Sequence, residues 1–183
     1  MHKLERNLID NIIESEVKLG RIGTSLTLYY PGSSLAELLD CSEEELPVKL
    51  AEFPEKGTEY LGNIVIEQID DSGERFSVRI PAEGLDRVYA DFQPSDFTKG
   101  FVKEIRNPDN TLEDIAKLFH RYSPDVVINQ INPDECAFSF CDDAVDAYVY
   151  HIEQNVFGLE YHRFTKESYR KMMNDMAEER EKR

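Results

Sequence analysis

The sequence predicts an α+β fold on three observations. Apolar residues recur at helical spacing near both ends of the chain, several segments alternate apolar and polar at strand spacing, and the turns between those segments are too short for parallel crossovers. Antiparallel hairpins or a meander sheet, packed with several amphipathic helices including one at each terminus, follow from that pattern. The chain has 183 residues, of which 40% are apolar, with Phe 10 and Tyr 9. That is enough for a packed core, and a single α+β domain over residues 1–183 is expected, with a weak subdivision near Asn107 to Asn110.

The elements follow in order. Leu4, Leu8, Ile9, Ile12 and Ile13 form one stripe, and Gly20 stands where a helix C-cap is wanted. Thr24 to Tyr30 reads as a strand with Leu26, Leu28 and Tyr30 on one face, ended by Pro31-Gly32. Ser34 with Glu37, and Ser42 with Glu45, have the spacing of capping boxes and predict two short helix starts. Ile64 to Ile80 predicts a hairpin around Asp71-Ser72-Gly73, with Ile66 opposite Val78 and Gln68 opposite Phe76. Helices are expected over 82–90, 95–105 and from Thr111 to before Pro124. Strands are expected over 126–131, 135–140, 147–153 and 159–164. Thr165 then caps a final helix with Tyr169, Met172, Met173 and Met176 inward.

Charge narrows the function classes. Asp plus Glu number 37 against 21 Lys plus Arg, a formal net charge of −16 at pH 7. Such a field repels polyanions, so neither nucleic acid nor an anionic membrane surface is an expected partner. The excess is densest between Asp40 and Asp71, and Glu43, Glu44, Glu45, Glu52, Glu55 and Glu59 form a candidate acidic interaction patch for a basic protein partner. No apolar run is long enough to span a bilayer, and the N-terminal residues have no signal-peptide pattern. Cys41, Cys136 and Cys141 are odd in number and scattered, which fits free thiols in the cytoplasm.

The polar cluster with most chemistry in it lies in the last hairpin. Placing Tyr148, Tyr150, Ile152, Leu159 and Tyr161 on one face sets His151 opposite His162 and Glu153 opposite Glu160 on the other. Two imidazoles and two carboxylates at that spacing are a candidate site for zinc or another divalent metal, or an acid/base pair; the competing reading is a solvated hairpin face. Asp142, Asp143 and Asp146 lack the Gly and distal Glu of an EF-hand loop, and no phosphate-binding loop or nucleophile elbow is present. No cofactor is therefore expected outside the metal alternative.

Two stretches carry a resemblance: Leu28-Tyr29-Tyr30-Pro31-Gly32-Ser33-Ser34-Leu35 and Tyr161-His162-Arg163-Phe164-Thr165-Lys166-Glu167-Ser168-Tyr169. With the order of elements between them, the chain resembles, over nearly its full length, an uncharacterised bacterial family of the domain-of-unknown-function kind. The resemblance implies a bacterial cytosolic protein and brings no catalytic residues with it. With no recognisable catalytic motif, the residues favour a non-enzymatic binding or regulatory protein over an enzyme. The exposed edges of the hairpins also make a homodimer an expected partner state. A small-molecule pocket lined by tyrosines is a third reading, and the nine tyrosines are equally well explained as amphipathic core residues with their hydroxyls at the surface.

Overall fold

The computed structural model describes residues 1–56, 58–70 and 74–181. Its α+β architecture divides into two compact units, 1–94 and 95–183, and the Asn107–Asn110 turn falls inside the second. Each unit joins one antiparallel sheet to helices around a hydrophobic core of its own.

In the first unit, α1 (Lys3–Leu19) buries Leu4, Leu8, Ile9, Ile12 and Ile13, and Gly20 closes it at φ 80 with its N–H on Glu16 O. The three-stranded sheet runs in the order β1 (Leu26–Pro31), β3 (Arg75–Ile80), β2 (Val65–Gln68). Ile66 faces Val78 and Gln68 faces Phe76, as the alternation requires. The Asp71-Ser72-Gly73 turn lies outside the described residues. One face of the sheet, with Leu28, Phe76, Val78 and Ile80, joins the helices in a mainly Leu and Ile core.

The helix after β1 corrects one expectation. α2 (Gly32–Leu38) begins directly at Gly32 with Pro31 as its N-cap and no side-chain cap, so Ser34 sits inside the helix. Proline supplies an extended residue ahead of the first turn, and Gly32 N–H donates to Glu74 O at 2.7 Å, so the helix start is tied to the sheet instead of to a hydroxyl. The Ser42–Glu45 box does form, with Ser42 N–H donating to Glu45 Oε2 at 3.1 Å and Glu45 N–H to Ser42 Oγ at 3.3 Å, one turn ahead of α3 (Leu46–Lys56). α3 buries Leu46, Leu50 and Phe53 and turns its other side outward. α4 (Ala82–Asp91) completes the unit and packs on α1.

The second unit is a four-stranded meander, β4 (Val126–Asn132), β5 (Glu135–Phe140), β6 (Tyr148–Asn155) and β7 (Gly158–Thr165), in that order. Helices α5 (Asp96–Ile105) and α6 (Leu112–Tyr122) cover the face that carries Phe138, Phe140, Tyr150, Ile152 and Leu159. Thr111 and Asp114 form a reciprocal capping box at the start of α6. Phe97 and Phe119 sit at the centre of this core. Phe97 meets Phe119, Phe140 and Tyr150 edge-on at 4.9 to 5.6 Å, and Phe119 stacks on Phe138 and Phe140 at 5.3 and 4.9 Å.

The last helix, α7 (Lys166–Glu181), packs on β6 and β7, and Thr165 Oγ1 accepts the N–H of Ser168 as its cap. Tyr169, Met172 and Met173 are only half-buried, and Met176 is exposed, which corrects the expectation of an inward stripe. The back of the sheet mixes apolar residues such as Ala137, Val149 and Phe164 with polar ones such as His151 and Ser139, and Tyr169 of the helix meets it at Phe164 and His151.

Candidate functional site

Two places in the described chain gather functional side chains, one in each unit. The first is a cleft of about 780 Å³ in residues 31–76. Its lining comes from the β1–α2 junction (Pro31, Gly32, Ser33), the start of α3 (Glu43, Leu46, Pro47) and the β2–β3 end of the sheet (Gln68, Glu74, Arg75, Phe76). Leu46 and Phe76 are buried and give it an apolar interior, whereas Glu43, Gln68, Glu74 and Arg75 are exposed and give it a polar mouth. Among the described residues no tyrosine lines it.

The cleft adjoins the predicted acidic patch. Glu43, Glu44, Glu45, Glu52, Glu55 and Glu59 are all exposed, and Val48 and Lys49 lie exposed among them. Two hydrogen bonds from Ser42, the backbone one the stronger influence, hold the Glu45 carboxyl below the usual carboxylate range, so it stays charged. Glu59 N–H and Tyr60 N–H both donate to Glu5 Oε1, at 2.5 and 2.8 Å, and this fixes the segment after α3 against α1. Glu5 is buried to 1% exposure, a role that its place beside the apolar Leu4 in the sequence does not announce. The cleft was equally out of reach of sequence reasoning, because its residues come from five separated segments. The only advance signal was that Pro31, Gly32 and Ser33 belong to the first of the two stretches that carry the resemblance.

The second place is the back of the four-stranded sheet. His151 faces His162 and Glu153 faces Glu160 across β6 and β7, in the register the alternation predicts. The structure gives His151 a different carboxylate, however. Its Nε2 donates to Glu135 Oε1 at 2.5 Å, across the β5–β6 pairing in which Glu135 stands opposite Glu153. His151 and Glu135 are largely covered, with Tyr169 of α7 edge-on to the imidazole at 6.3 Å. Tyr169 in turn accepts a hydrogen bond from Asn129 Nδ2 at 3.3 Å, and burial raises its phenol above the ordinary range. His162, Glu153 and Glu160 are exposed. Among the described residues no group of three or more His, Cys, Asp or Glu side chains is arranged to hold a metal ion, and the geometry does not favour the metal alternative. Glu135 follows a predicted Pro-Asp turn, so pairing the two middle strands on paper would have brought it beside His151.

The remaining acids and thiols have local structural roles or lie open. Asp142 Oδ1 accepts Ala144 N–H, Asp146 Oδ1 accepts Tyr148 N–H, and Asp143 pairs with Lys166. Cys136 is buried on the apolar face, and burial pushes its thiol up; Cys141 is exposed. His120 is an exposed residue of α6.

A domain of unknown function with an E. rectale gene description, DUF3877, matches residues 1–173. The chain belongs to the DUF3877 family. Neither a curated protein nor a solved structure matches the chain. The match spans the cleft, the acidic patch and the sheet with His151, so all three lie within DUF3877 sequence. The function of DUF3877 is unknown, and among the described residues no helix is long and apolar enough to cross a membrane.

Proposed function

We propose that this DUF3877 chain is a non-enzymatic binding protein of the bacterial cytoplasm that receives a basic segment of a protein partner on its first unit. The observation that carries this reading is that the six acids of the patch are all exposed and that one of them, Glu43, joins Glu74 at the mouth of a cleft with an apolar interior. Lys and Arg side chains suit both features, since their aliphatic stems bury against apolar groups such as Leu46 and Phe76 while the charged ends reach Glu43 and Glu74. Electrostatic attraction of this kind speeds encounter and selects partners by charge, and it weakens as salt screens it. Arg75, the cation at the cleft, would reject a segment with a second cation at that point and so sets register.

The test is a titration of the full chain with a Lys/Arg/Leu peptide and with a Glu/Leu peptide of equal length. The basic peptide is expected to bind, to weaken as salt rises, and to lose roughly tenfold or more in affinity when Glu43, Glu44 and Glu55 are changed to Gln. The same number of Gln substitutions at Glu153, Glu160 and Glu167 is expected to change affinity far less. Equal loss from both sets would show a response to net charge alone and would sink the reading.

A further inference from the structure

Four sheet edges bound the two sheets, and three of them carry features that discourage another strand. β1 ends in Pro31, β2 is only 4 residues long and includes Glu67, and β7 contains Glu160 and Arg163. β4 differs from all of these. Its 7 residues, Val-Val-Ile-Asn-Gln-Ile-Asn, include no charge and no proline, in a chain of which 32% is charged. Val127 and Ile128 point to opposite faces of the sheet by alternation, yet they are 51% and 43% exposed. Among the described residues no strand pairs with the outer edge of β4. An exposed, uncharged edge with apolar side chains is a template for one more strand.

From this edge we infer that a second copy of the chain pairs antiparallel with β4 and continues the four-stranded sheet across a twofold axis. Charge leaves this edge as the place where a copy meets least repulsion. Two chains of −16 repel over most of their surfaces and can approach closely only where charge is absent, whereas a basic partner is drawn to the acids of the first unit. The strand is also compatible with itself. The register shift between Gln130 and Asn132 confines the regular edge to residues 126–130. A twofold axis at Ile128 places Val127 against Asn129 and Val126 against Gln130, so each face of the sheet continues into the partner with its own residues. This pairing uses nothing of the cleft or of the acidic patch, and it stands or falls apart from the function proposed above.

Sedimentation of the full chain from micromolar to near-millimolar concentration tests the inference. The expected result is a reversible monomer–dimer equilibrium that Val127→Lys weakens by roughly tenfold or more, because an edge lysine opposes strand addition. Phe157→Lys, at the exposed tip of the β6–β7 hairpin, is expected to leave it unchanged. A second readout is amide hydrogen exchange, in which residues 126–130 should gain protection as concentration rises. A wild-type chain that stays monomeric throughout, or a dimer indifferent to Val127→Lys, overturns the inference.

Discussion

The two units bury different kinds of side chain, and the difference decides how each can fail. The first packs α1, α2, α3 and α4 through Leu and Ile side chains, with Phe53, Phe76 and Tyr89 as its buried aromatics. The second packs α5 and α6 on a sheet through a cluster of rings, Phe97, Phe101, Phe119, Phe138, Phe140 and Tyr150, with Ile115, Leu118 and Ile152 among them. Aliphatic cores tolerate small volume changes by shifting rotamers, whereas interlocked rings depend on edge-to-face and stacked geometry that one truncation removes at several contacts together. The first unit also carries the cleft and the dense acids, so the proposed binding surface and the more adaptable core occur together.

The largest effect should come from breaking the ring cluster at its centre. Phe119 is fully buried and contacts five other rings. Phe119→Ala is expected to cost about 3–5 kcal/mol, and hydrogen exchange should show protection lost across residues 95–178 while α1 keeps its own. Uniform loss over both units would mean that the two cores are not separable. Next in size is a close approach in the first unit. A Cβ on Gly84 would come within 2.1 Å of the carbonyl oxygen of Leu61, a backbone atom that has little room to move. Gly84→Ala should therefore cost about 1–3 kcal/mol by urea denaturation, against near-neutrality for an alanine at Gly23, which has open space.

The smallest effect concerns the cap of α6. Thr111→Ala removes an N-cap and should cost about 1 kcal/mol. The Thr111 hydroxyl, and then its backbone N–H, hold the Asp114 carboxyl below its ordinary range. A group with a depressed folded pKa contributes stability that is complete above its unfolded value and is lost as pH falls through the folded one. The Thr111→Ala deficit should accordingly shrink on acidification, because the wild type loses its advantage there; a deficit independent of pH would contradict the role given to Asp114.

Most elements were legible in the sequence because their apolar periods are clean. The β2–β3 and β6–β7 registers followed from alternation and turn position alone, and His151 does face His162. What was not legible depended on contacts distant in the chain. β1 pairs with β3, a strand distant from it in sequence, and Leu28 packs against the core of the first unit. The start of α2 was misplaced because Ser34 and Glu37 imitate a cap, while Gly32 N–H already had a partner in Glu74 O. His151 found Glu135 through a strand pairing that local spacing does not contain. The acidic patch was readable as composition, but the cleft beside it exists only once five segments have come together.

If the first unit's cleft and acidic face form one binding surface, a basic peptide will touch both at once. Chemical-shift perturbation by the basic peptide tests it residue by residue. Shifts are expected at Gly32, Glu43, Leu46, Gln68 and Phe76 together with the outer positions of α3, with little change in residues 95–178. Shifts centred on the second unit, or spread evenly over every exposed acid, would contradict it.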